Sequence, residues 1–132
     1  MTGEGDVLDL IPFARTLGLS VVRNDPAHVQ VRLDWDPGLC TSGGALHGGV
    51  IMALADTAGG LCAFRNLAPD AAGTTTIESK TNFLRAVTGG YIIAAARPLH
   101  VGRTVIVIES DVSDDQERLI GRVIQSQLVL SR

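Results

Sequence analysis

Hydrophobic and polar positions divide this chain into two regimes. Over residues 28–35, HVQVRLDW, they alternate, which is the period of a strand with one face buried. Over residues 48–66, GGVIMALADTAGGLCAFRN, alternation gives way to an almost unbroken apolar run. That run predicts one long core helix, closed off by Pro69 and Gly73. Alternation returns afterwards. Residues 74–84, 91–101, 104–112 and 119–130 each read as a strand, separated by Gly89-Gly90, by Gly102-Arg103 and by the polar turn 113–116. Ahead of the helix, 7–17 reads as a short amphipathic helix interrupted at Pro12, and 19–23 as a further strand. One helix followed by an antiparallel meander predicts an α+β domain whose sheet wraps around that helix. The whole of 1–132 is expected to be a single domain, with residues 1–6 flexible.

Composition narrows the class of protein. With 132 residues, 45% hydrophobic and 19% charged, the chain can bury a real core. Aromatic residues make up only 4%, so that core is built from aliphatic side chains. The formal net charge is −3, and of the 11 basic residues only Lys80 is a lysine; the arginines are scattered. Nothing here predicts a nucleic-acid partner. Cys40 and Cys62 form no CxxC and imply no disulfide framework. The acidic start MTGEGDVLDL is unlike a signal peptide, and the apolar run is broken by Asp56, Gly59 and Gly60. A cytoplasmic protein with no membrane span is the expectation.

The candidate chemistry lies in the helix. Asp56 is its lone carboxylate, in a segment expected to be buried, and such a group normally has a partner or a job. His47-Gly48-Gly49 stands where the helix begins, and there unpaired backbone N–H groups and the helix dipole favour developing negative charge. His47 itself can bond local backbone at that start, and the glycines allow close approach. Other chemistries lack their signatures. His28, His47 and His100 have no metal-ligand spacing, and neither GxSxG, GxGxxG nor GK[ST] occurs.

His47-Gly48-Gly49, Leu54 and Asp56 fit an HGG-x4-L-x-D pattern. With this order of elements, Phe83-Leu84-Arg85 and 99–103 (LHVGR), the chain resembles the hotdog-fold acyl-CoA thioesterases, in particular the PaaI-like and 4-hydroxybenzoyl-CoA thioesterase group. The resemblance spans about 12–130 and implies hydrolysis of an acyl-CoA thioester without metal or cofactor. Asp56 then acts as nucleophile or general base, Gly48 N–H as oxyanion donor, and Thr76 as a hydroxyl positioning water or carboxylate, with His47 completing the catalytic set. Gly49, Arg85, Arg97 and Arg103 become candidates for binding substrate, the arginines through the phosphates of coenzyme A. A homodimer or a homotetramer built as a dimer of dimers is also implied. Two positions depart from many relatives: Thr41 stands in place of an asparagine, and Ala86 in place of a proline. The rival readings are a non-catalytic acyl-CoA-binding hotdog protein and a hotdog enoyl-CoA hydratase or dehydratase.

Overall fold

The computed structural model describes residues 7–132; the segment 1–6, expected to be flexible, lies outside the described residues. Helix α1 (Pro12–Leu17) precedes strands β1 (Ser20–Asp25) and β2 (His28–Asp34). A single 3₁₀ turn (Pro37–Leu39) leads to helix α2 (Gly48–Arg65), and β3 (Ala71–Phe83), β4 (Tyr91–Val101), β5 (Val105–Asp114) and β6 (Leu119–Ser131) follow. Residues 7–9 are also helical, and the expected interruption falls at the extended Ile11, after which Pro12 opens α1, since the first helical position needs no N–H partner.

All six strands form one antiparallel sheet in the order β1-β2-β4-β5-β6-β3. This is the hotdog arrangement expected from the resemblance, with the sheet curled around α2. The expected simple meander is corrected in one respect. Of the four strands after α2, only β4, β5 and β6 are successive neighbours, whereas β3 crosses to the far side and pairs with β6 as an edge strand. It also begins at Ala71, so Gly73 lies inside it, next to a register shift, and does not end the preceding loop.

The inner face of the sheet holds Val29, Val31 and Leu33 on β2, with Ile92, Ala94 and Ala96 on β4. Ile106, Ile108 and Val112 on β5 and Ile120 and Val123 on β6 complete it. Against it α2 lays Ile51, Leu54, Ala55, Ala58 and Cys62, a helical stripe. Pro98 sits within β4 without breaking the sheet, because β2 stops pairing at Ala96 and leaves that side of β4 free.

The helix is not covered on every side. Met52, Asp56 and Phe64, spaced by four and eight residues along one side of the helix, are exposed, and Asp56 and Phe64 border the cleft beside β3. Asp56 is therefore not the buried carboxylate that the apolar run suggests. Edge strand β3 continues this uncovered surface, with Ile77 and Phe83 more than half or half exposed, at 57% and 50%. Ile77 is the extra residue of a bulge between Thr76 and Glu78. No helix of the described residues is long and apolar enough to cross a membrane.

Candidate active site

His47 caps α2. Its backbone is extended (φ −63°, ψ 136°), and its Nδ1 accepts a hydrogen bond from Gly49 N–H at 2.8 Å. The acceptor role leaves the ring proton on Nε2 if the imidazole is neutral. Val50 and Ile51 N–H both donate to His47 carbonyl oxygen. Gly49 N–H is thus already used, and of the first helical N–H groups only that of Gly48 lacks an acceptor among the described residues. The ring of Phe83 lies over it, with Cζ 3.1 Å from where a Gly48 Cβ would be. Arg85, two residues beyond Phe83, is exposed, and its N–H donates to Ile120 carbonyl oxygen.

Asp56 is two turns further on. Thr76 Oγ1 donates to its Oδ1 at 2.6 Å and Gln125 Nε2 donates to the same oxygen at 3.1 Å. Gln127 Nε2 donates in turn to Thr76 Oγ1 at 2.6 Å. Thr76 reaches the carboxylate because it stands opposite Gln127 in the β3–β6 ladder, on the inner face. Beside Asp56 a cleft of about 530 Å³ runs between α2 and β3, lined by Gly60, Leu61, Phe64 and Thr74 among others. Most of its exposed lining is apolar, with Asp56, Gln127 and several threonines, Thr76 among them, as polar points along the wall.

The structure brings Asp56 and Thr76 together, and it groups His47, Gly48 and Gly49 separately at the helix start. Eight helical residues rise about 12 Å, so the Gly48 N–H and the Asp56 carboxylate of one chain cannot meet at one carbonyl. The arginines are dispersed as well. Arg97 lies on the outer face of the sheet, tied to Glu109 and, at 3.8 Å, to Asp111. Arg103 lines a different cleft, near Asn66 at the opposite end of α2 from His47. Thr41, where many relatives carry asparagine, is exposed and turns a tight loop by donating its N–H to Ala45 carbonyl oxygen.

Two site residues have no counterpart in the sequence reading: Gln125 and Gln127, both almost completely buried. Their signal was available. They occupy the inward parity of β6 between Val123 and Val129, where an apolar side chain is the rule. The cysteines take no part. Burial pushes the Cys62 thiol up to about 11, and both cysteines are free.

Comparison with known proteins identifies the family. Residues 43–120 match the thioesterase superfamily. ComA2 of Bacillus subtilis, provisionally named an esterase, is 35% identical over 104 residues, covering 79% of this chain and 82% of ComA2. A 1,4-dihydroxy-2-naphthoyl-CoA hydrolase of Listeria monocytogenes is 29% identical over 105 residues, covering 80% of this chain and 85% of its own. The solved structure of a Mycobacterium tuberculosis protein, also provisionally named an esterase, superposes with a TM-score of 0.89 at 28% identity, over 92% of this chain and 98% of that one. By sequence over more than half its length and by fold over nearly all of it, this chain belongs to the thioesterase superfamily.

Proposed function

We propose that the protein hydrolyses acyl-CoA thioesters at a site completed by two protomers, with Gly48 N–H from one and Asp56 from the other. The separation along α2 carries this reading. The free N–H and the carboxylate are about 12 Å apart in one chain, yet both belong to a helix whose flank is uncovered beside an unpaired strand edge. A second copy placed against β3 brings its own Asp56 toward the first copy's helix start. The CoA thioester is supported by the Listeria relative's name and by the apolar cleft beside Asp56, which suits an acyl group.

The chemistry follows from the free atoms. The thioester carbonyl oxygen accepts from Gly48 N–H, and that bond strengthens as charge grows toward the tetrahedral species. Asp56 Oδ2, with no donor among the described residues, either attacks the carbonyl carbon or takes a proton from the attacking water. The carbon–sulfur bond breaks, and the thiolate leaves as free CoA after gaining a proton. Water supplies the hydroxyl of the acid. A thioester is reactive enough that this scheme needs no metal or cofactor.

The test is complementation between two inactive variants. Asp56→Asn keeps the side chain's size and removes its basicity. Gly48→Pro removes the N–H, and His47 already has the extended backbone that a following proline requires. Each variant alone is expected to lose at least about 10²-fold in kcat. Gly48→Ala, which keeps the N–H and meets only the exposed Phe83 ring, is expected to retain most activity. Co-refolded in equal amounts, the two inactive variants should recover roughly a quarter of wild-type turnover, because half the dimers are mixed and each mixed dimer has one intact site. No recovery, with mixed dimers verified by mass spectrometry, would rule out the shared site.

A further inference from the structure

We propose that Gln125 and Gln127 are positioning residues that aim the Asp56 carboxylate, with Gly59 providing the seat for Gln125. The inference rests on the reading of Asp56 as the reactive group.

Hydrogen-bond arithmetic supports it. An amide nitrogen only donates, so with Gln127 Nε2 at 2.6 Å the Thr76 oxygen is the acceptor there. The hydroxyl has one proton, and it is directed to Asp56 Oδ1, 2.6 Å away. The carboxylate, which only accepts, takes that proton, and Gln127 holds the Thr76 oxygen from its other side, so the hydroxyl is fixed between the two. Gln125 Nε2 donates to the same Oδ1, so two donors hold one carboxylate oxygen and none of the described residues donates to the other. The carboxylate plane is fixed and Oδ2 is presented for reaction.

Gln125 gives up something to do this. Its Oε1 is buried and has no hydrogen-bond partner among the described residues. Flipping the amide would set that oxygen against Asp56 Oδ1, acceptor to acceptor, so the orphan is the consequence of donating to Asp56. The seat is specific as well. A Cβ on Gly59 would lie 2.1 Å from Gln125 Oε1, so any larger residue there displaces the amide. A side chain retained only for packing would not leave a buried acceptor unpaired between a helix and the inner face of a sheet.

Stability and turnover should consequently respond in opposite directions. Wild type, Asp56→Asn, Gln125→Met and Gln127→Met are compared with benzoyl-CoA and hexanoyl-CoA as probes, following thiol release, and each is melted thermally. For Gln125→Met, kcat is expected to fall about 10-fold, the scale of one hydrogen bond to a charged group. KM should stay within about twofold, and Tm should equal or exceed that of wild type, since the orphan oxygen is gone. Gln127→Met should lower kcat in the same way by a smaller factor. Gly59→Ala, which keeps Gln125 but moves it, should reproduce the kcat loss and covers the case in which Gln125→Met does not fold. Wild-type kcat in Gln125→Met and Gln127→Met beside an inactive Asp56→Asn would overturn the inference and leave the reading of Asp56 intact. A parallel fall in Tm and kcat would overturn it in favour of a packing role. Full turnover in Asp56→Asn, or none in wild type with either probe, would remove the underlying reading and the inference with it.

Discussion

The histidine that opens α2 acts through a single nitrogen. A Cβ on Gly49 would sit 2.9 Å from His47 Nδ1, so Gly49→Ala pushes the ring away and leaves the Gly49 N–H unpaired. Loss of such a cap costs about 1 kcal/mol, or a few degrees in Tm for a chain of this size. His47→Ala should give a similar drop, and the double variant no further drop, because both changes remove one bond. Thermal melts of the three variants check this; additive losses would mean that His47 supports the helix start in some other way. Much at this scale was legible. The lone carboxylate at Asp56 and the glycines at the helix start stand out in one dimension. Their grouping did not, because eight residues look close in a sequence and are about 12 Å apart on a helix. Gln125 and Gln127 escaped notice because their meaning depends on which face of β6 looks inward, and that is settled only by pairing with β3 and β5.

Among the elements, the strands were placed closely and their partners less so. Periodicity records burial of a face and is blind to which neighbour supplies the hydrogen bonds. The thirteen-residue β3 shows this, being readable as a strand yet pairing with β6 and not with β4, which follows it in the chain. The β5–β6 hairpin has its own anchor. Asp114 Oδ1 accepts from Gln116 and Arg118 N–H, each at 2.9 Å, and Oδ2 accepts from Arg118 Nε at 2.7 Å. Burial pushes its carboxyl up, but the bonds from Arg118 and Gln116 outweigh that and hold it below the ordinary carboxylate value. A lowered folded value means that the ionised form stabilises the fold above the unfolded value, near about 3.9. That contribution is lost as pH falls through the folded value. Asp114→Asn should therefore melt below wild type at neutral pH, with the gap closing in strong acid. A gap independent of pH would show that charge on Asp114 contributes nothing.

At the scale of the whole molecule, one flank combines exposed apolar side chains with an open sheet edge. Met52, Phe64, Ile77 and Phe83 are exposed apolar side chains along α2 and the β3 edge, where strand N–H and C=O groups have no sheet partner. Such an edge is a template for another chain, and association there is what the shared site requires. Light scattering is expected to give two or four times the 13.9 kDa chain mass. Ile77→Lys, at the bulge, should shift the mass toward one chain and lower turnover at the same protein concentration. An active monomer would defeat both the dimer and the shared site. Sequence alone could not reveal this flank, since an apolar residue that faces a core and one that faces a second copy look the same in a pattern.

The placement of β6 bears on the order in which the molecule comes into being. It follows the other five strands in the chain, yet it lies between β5 and β3 and carries both glutamines that touch the Asp56–Thr76 pair. During synthesis, α2 and β3 emerge well before the strand that pairs with β3. Until β6 arrives, β3 has no neighbour and a long loop remains to be closed. The last strand made and one made three strands earlier therefore meet at the carboxylate, so a partly made chain can hold its helix without yet holding a competent site.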